Sequence, residues 1–309
     1  MWAGWSWWSR LRRPDLDDAP ATGAAAERAL RAAVPPTLPP PGPELLVALD
    51  IDGTLIDLDE HLRPEMARAV ADLRTTGAHV LLATGRSVAA TLPILRRLDM
   101  THGWAVCSNG GVVIRLDPRL PQGWEMSDVV TFDPARVLRL LREELPEALF
   151  AVEDAGLGVR VSGEFPTGEL AGEAELVSFA ELCEVPATRV IMRAPHLSSQ
   201  DFHALVDRVG LHGVSYAVGW SAWLDIAPDG ISKASALDML RLRLGVAADA
   251  TVAIGDGRND IEMLQWAALG VAMGRADADT RAAADAVTAT VQDDGAVALI
   301  RALLDRDAG

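Results

Sequence analysis

From Leu45 onward, short apolar runs alternate with stretches in which apolar positions recur every three or four residues. The runs "LLVAL" (45–49), "HVLLA" (79–83), "WAVC" (104–107) and "TVAI" (251–254) are bounded by Asp, Gly, Ser or Thr and read as strands buried on both faces. "GVAM" (270–273) is another. The helical spacing predicts helices over 64–75, 87–98, 232–244, 259–268 and 295–304. Strand and helix in this rhythm predict a parallel sheet covered by helices on both faces, with its strands in two groups, before residue 108 and after residue 250.

The intervening stretch follows another pattern. "LFAVED", "GLGVRVSG", "RVIMRA", "GVSYAVG" and "AWLDIA" alternate with period two, and helical patterns occupy about 134–145 and 199–209. A crossover needs only about a dozen residues, so the excess predicts an inserted α+β unit over 131–225 between core segments 44–130 and 226–309. "GGVVIR" and "GWEMSDVV" predict a hairpin leading into it.

Residues 1–43 differ again. Trp2, Trp5, Trp7 and Trp8 precede Arg10, Arg12 and Arg13, an Ala-rich patch has the makings of a short helix, and "PPTLPPPGP" reads as a stiff extended linker. The expectation is a disordered Trp-rich tail and linker. The basic residues follow the apolar ones and no apolar h-region exists, unlike a secretory signal. Two readings stand: a tail packing on the domain or a partner, or a contact with the membrane interface. The shortness of the Trp segment favours the first.

Composition narrows the classes. The 309 residues suffice for two domains, and half are hydrophobic. No apolar run is long enough to cross a bilayer. Only Cys107 and Cys183 are present, far apart, which suits a reducing, cytoplasmic setting without a disulfide framework. A formal charge of −16 argues against nucleic-acid partners. An acidic chain that handles an anion must supply positive charge locally.

Candidate chemistry follows the strand ends, where ligands bind in open parallel sheets. "DIDGT" follows the first strand, "TGRS" the second, "SNGG" the third and "GDGRND" the strand at 251–254, while Lys233 opens the helix before that last strand. One edge thus gathers Asp50, Asp52, Asp256 and Asp260 with Lys233, a threonine hydroxyl and glycine-lined turns. Several carboxylates without clustered thiols or histidines suit a hard cation such as Mg²⁺. The lysine, hydroxyl and helix starts suit phosphate. No GxxxxGK[ST] loop is present, which disfavours a nucleoside-triphosphate machine.

"DIDGTL", "TGR", Lys233 and "GDGRND", in this order, resemble the haloacid dehalogenase-like phosphatases, and the insertion after "SNGG" resembles the Cof-type branch. The resemblance covers about 45–304. It implies a doubly wound, Rossmann-like α/β core with an inserted α+β cap that sets specificity. It further implies an Mg²⁺-dependent phosphatase acting on a small phosphorylated metabolite, a sugar phosphate or phosphorylated coenzyme, through a phosphoaspartyl intermediate. In that family pattern Asp50 is the nucleophile and Asp52 the acid and base. Asp50, the Asp52 carbonyl and Asp256 hold the metal. Thr84, Gly85, Lys233 and Asn259 hold the phosphoryl group, and Asp260 orients Lys233 or a metal-bound water. A phosphotransferase or mutase, or a catalytically weak phosphate-binding regulator, are the other readings; a dehalogenase would leave Asp52 without work.

Other residues admit plainer roles. Asp57, Asp59 and Glu60 read as a solvated loop and Cys107 as a small buried residue. Arg86 is balanced between substrate and a neighbouring carboxylate, Asn109 belongs to a turn, and Trp220 and Trp223 read as packing more than as a sugar platform.

Overall fold

The apolar runs become neighbouring strands of one eight-stranded sheet. The structure, a computed structural model, describes residues 22–57, 59–154, 158–166, 169–170, 173–218 and 222–305. β1 (Leu46–Leu49), β2 (His79–Ala83), β3 (Gly103–Cys107), β4 (Val112–Leu116) and β5 (Trp124–Val129) come from the first half of the chain. The cap sheet comprises β6 (Leu149–Asp154), β7 (Gly158–Val161), β8 (Glu173–Leu176), β9 (Arg189–Arg193), β10 (Val214–Val218) and β11 (Trp223–Pro228). β12 (Thr251–Gly255), β13 (Leu269–Ala272) and β14 (Ala286–Val287) complete the core, in the order β14-β13-β12-β1-β2-β3-β4-β5. Pairing is parallel from β14 to β3, and the predicted hairpin adds β4 and β5 antiparallel.

Side-chain alternation splits the core into two layers. Val47 and Leu49 of β1 join the cluster formed with α2 (Pro64–Thr75) and α3 (Val88–Arg97), whereas Leu46 and Ala48 face the helix Lys233–Leu244 and its neighbour Ile261–Trp266. The latter is shorter than the predicted 259–268. Asp260 turns its carboxylate back onto the amides of Asp256 and Gly257 and closes a tight 3₁₀ turn at Arg258–Asp260 where an α-helical first turn was expected. The helix Ala278–Ala283 and β14 are too short to leave a periodic signal.

The cap sheet runs β10-β11-β9-β6-β7-β8. Its helices, α4 (Ala135–Glu144), α5 (Phe179–Leu182) and α6 (Ser199–Val209), pack with Phe150, Val152, Val190, Met192, Leu224 and Ile226. Those residues all point to one face. By the same parity Glu153, Arg189, Arg193, Trp223 and Asp225 belong to the other face, which turns to the core. β11 remains in the cap sheet through Pro228, so the return crossing lies just beyond the predicted boundary at 225.

Residues 22–43 are not a disordered tail. α1 (Gly23–Ala33) buries Ala26 and Leu30, four apart on one stripe, in the cluster that contains the last helix, Gly295–Leu304, and Arg31 pairs with Asp305. The proline-rich stretch places Leu38 in the same core. The four tryptophans of the N-terminal segment lie outside the described residues. Among the described residues, no helix is long and apolar enough to cross a membrane.

Burial of this helix has a measurable consequence. Leu30→Ala should cost about 2–5 kcal/mol in urea unfolding, and deletion of residues 1–43 should lower the melting temperature clearly. Unchanged unfolding in both variants would contradict the packing of α1.

Candidate active site

β1 stops at Leu49, and the chain turns at once. The Asp50 amide donates to Ile254 O, Gly53 N–H to Ile56 O, and the amides of Leu55 and Ile56 both donate to Ile51 O. Gly53 has φ +71°, and a Cβ there would stand 2.1 Å from Asp256 Oδ2, so only glycine lets the two loops meet. Because the strand ends first, Asp50 and Asp52 do not share one environment. Asp50 is 4% exposed, whereas the Asp52 side chain is 55% exposed and gripped by Arg86 Nε and Nη2 at 2.6–3.2 Å.

Asp50 is held by a buried lysine. Lys233 Nζ, on the first residue of α7 (Lys233–Leu244), donates to Asp50 Oδ1 at 2.7 Å and to Asp260 Oδ1 at 2.6 Å. Thr54 Oγ1 donates to Asp50 Oδ2 at 3.0 Å. Asp260 Oδ2 accepts from the Asp256 and Gly257 amides at 3.0 and 2.9 Å. Burial works against the lysine charge, yet Asp260 and Asp50 hold Lys233 above its ordinary range. Burial, with the Asp260 charge beside it, pushes Asp50 up to about 7. Burial and the charges of Asp50 and Asp260 push Asp256 up to about 8.

This charge balance suits a cation. Oxygens of Asp50, Asp256 and Asp260 lie within 4.8 Å of one another, three carboxylates around a single lysine. No donor among the described residues hydrogen-bonds the Asp256 carboxylate. Oxygen donors of this kind fit a hard divalent ion. Both oxygens of Asp260 and both of Asp50 already accept hydrogen bonds, so among the three the Asp256 carboxylate is the one free to turn toward such an ion, with Asp50 beside it.

The remaining sequence candidates surround this cluster. Thr84 is fully buried, and its Oγ1 accepts from the Arg86 amide at 3.0 Å. Asn259 Nδ2 donates to Asn109 Oδ1 at 3.0 Å. Asp50, Asp52, Gly85, Asp256 and Asn259 line a cleft of about 440 Å³ between core and cap. Thr84, Lys233 and Asp260 stand behind it. Arg86 pairs with Asp52 and with Glu60 at 2.8 Å. Trp223 lines the cleft, its ring edge-on to Phe165; Trp220 lies outside the described residues. Burial pushes the Cys107 thiol up to about 12, which leaves it inert.

Three charged cap residues escaped the sequence reading: Glu153, Arg189 and Asp225. Arg189 and Asp225 line the cleft, and Glu153 is fully buried beside Arg189. A signal existed. In "LFAVED", "RVIMR" and "WLDIA" these residues sit at charged positions of the face opposite the apolar one, where a one-sided sheet needs a charged partner.

The family of haloacid dehalogenase-like hydrolases matches residues 47–141 and 181–300. Pyridoxal phosphate phosphatase YbhA of Escherichia coli is 28% identical over 78% of this chain and 92% of its own length. The 5-amino-6-(5-phospho-D-ribitylamino)uracil phosphatase YitU of Bacillus subtilis is 26% identical over 83% and 96%. In fold, the chain is similar to the subclass IIB sugar phosphatase BT4131, with TM-score 0.69 and 22% identity over 83% of this chain and 98% of that one. The chain belongs to the haloacid dehalogenase-like hydrolases, in the Cof-type phosphatase branch.

Proposed function

We propose that the protein is a Mg²⁺-dependent phosphatase that hydrolyses a small phosphorylated metabolite, a sugar phosphate or phosphorylated coenzyme, through a phosphoaspartyl intermediate. The observation that carries this reading is the Asp50 carboxylate, fixed by Lys233 and Thr54 at the cleft floor beside the carboxylate of Asp256, which no donor among the described residues hydrogen-bonds. The relatives named for pyridoxal phosphate and for a phosphoribityl compound support a substrate of that size.

Asp50 attacks phosphorus in line, and the bond to the leaving oxygen breaks as Asp52, protonated and turned from Arg86 to the leaving oxygen in the substrate complex, supplies a proton to it. Asp52 then takes a proton from the water that opens the phosphoaspartate. Asp50, the Asp52 carbonyl and Asp256 would hold Mg²⁺, which supplies charge neutralisation between nucleophile and phosphate. Gly85 and Asn259 receive the phosphoryl oxygens from the cleft wall, with Thr84 and Lys233 behind them, and Asp260 keeps Lys233 oriented. The cap wall at Trp223 receives the organic group.

Phosphate release from a panel of phosphorylated sugars and coenzymes tests the reading. Asp50→Asn should abolish turnover and leave the fold intact, while Asp52→Asn should lose about 10²–10⁴-fold. Undiminished hydrolysis by Asp50→Asn would overturn the mechanism.

The cation has its own signature in stability. The folded values of Asp50 and Asp256 are raised, so without metal their burial costs nothing at about pH 4 and the cost grows as pH rises through 7 to 8. The metal-free protein should therefore melt lower at about pH 8.5 than at about pH 6. Added Mg²⁺ should recover most of that loss at the higher pH and little at the lower, since protons compete for the same oxygens. Asp256→Asn should flatten both responses. Equal Mg²⁺ stabilisation at the two pH values would argue against this cluster as the site.

A further inference from the structure

Two charged side chains are enclosed between cap and core. Glu153 on β6 is fully buried and Arg189 on β9 nearly so, and the strand register sets them directly opposite each other. Arg189 Nε and Nη2 reach Glu153 Oε2 at 2.9 and 2.8 Å, and Nη1 reaches Asp225 Oδ1 on β11 at 3.2 Å. Thr188 Oγ1 donates to the Glu153 carbonyl at 3.1 Å. A buried ion pair recovers little net stability against its desolvation, so cohesion of the cap does not by itself account for this one.

Each partner spends its remaining hydrogen-bonding capacity on the core. Arg189 Nη1 donates to the Gly85 carbonyl, and Ser108 Oγ donates to Glu153 Oε1. These two core loops are themselves tied together. The Ser108 amide donates to Arg86 O at 2.8 Å and the Asn109 amide to Thr84 O at 3.0 Å. Ser108 and Asn109 have φ of +51° and +52°, a region costly for residues with a side chain, so the loop keeps its shape only while its partners hold it. The loop carrying Gly85 touches it closely: a Cβ on Gly85 would stand 3.1 Å from Asn109 Oδ1.

We propose that the Glu153–Arg189 pair is a positioning wedge, which shapes the two core loops beside the phosphoryl group by gripping the Gly85 carbonyl and the Ser108 hydroxyl from the seated cap. The pair acts through those loops. The inference rests on the phosphatase reading above. Its distinguishing consequence is that losing the wedge weakens the binding of bare phosphate, a ligand with no organic part for a cap residue to recognise.

The experiment measures inhibition by inorganic phosphate, with kcat and KM for two phosphomonoesters of different organic groups, alongside melting temperature. In Arg189→Gln and Glu153→Gln, the phosphate inhibition constant should rise and kcat fall, each by about 10–100-fold and equally for both substrates. Arg189→Lys should restore part of the loss, and the double variant should cost little more than either single one. Ser108→Ala spares the ion pair and should show the same pattern at smaller size, with a smaller fall in melting temperature than either ion-pair variant. An unaltered phosphate inhibition constant overturns the wedge, whether KM then shifts for one substrate alone, as a direct contact would give, or only melting falls. A wild-type protein that neither hydrolyses phosphomonoesters nor binds phosphate would sink the functional reading and the wedge together. A competent wild type with indifferent variants sinks the wedge alone.

Discussion

The ammonium of Lys233, shared between Asp50 and Asp260, is the contact on which the arrangement of the core edge depends. It joins the end of β1 to the start of α7 and the loop after β12, two segments that the whole inserted cap separates from the first. Three carboxylates cannot crowd a water-poor edge without compensation, and removing the single cation there would leave charges buried and unpaired, a far larger loss than the pair's net worth. The position of the insertion follows from this. β11 ends at Pro228 and Lys233 comes five residues later, so the returning chain delivers the lysine directly to the site it balances.

The same contact limits how a chain with a formal charge of −16 could receive an anion. The cations in and behind the cleft are already committed: Lys233 to Asp50 and Asp260, Arg86 to Asp52 and Glu60, Arg189 to Glu153 and Asp225. They organise carboxylates and loops. On the proposed reading, the pull on a phosphoryl group therefore falls to amides, to amide side chains and to the cation that the acidic cluster would hold, a division that leaves the charge of Asp50 largely screened by the protein.

Much of this was legible from pattern alone. Doubly buried strands read as unbroken apolar runs, and their ends announce the loops that carry chemistry, so β1, β2, β12 and the residues following them were readable. What escaped depends on distance across the fold. Asp50 and Asp52 look alike by strand parity, but hydrogen bonds to Ile51 O end the strand and separate them. Arg86 was balanced between two roles because its partners Asp52 and Glu60 lie 34 and 26 residues away. Glu153 and Arg189 meet only through strand register, which local alternation does not specify. α1 was concealed by its setting: a small alanine-rich stripe beside prolines reads as a tail until the last helix offers it a surface.

That docked helix bears on how the sheet ends. An open sheet exposes backbone donors and acceptors along both outer strands, a template on which other chains can add. Here one outer strand, β14, is only two residues long, and α1 lies against it. The opposite outer strand, β5, carries Glu125 and Asp128, neutralised by Arg115 and Arg243, so a strand approaching it meets bulky, ordered ion pairs. The N-terminal helix thus does for one margin what charge does for the other, and protection against edge-to-edge aggregation becomes a second reason for the chain to begin folding well before its first strand.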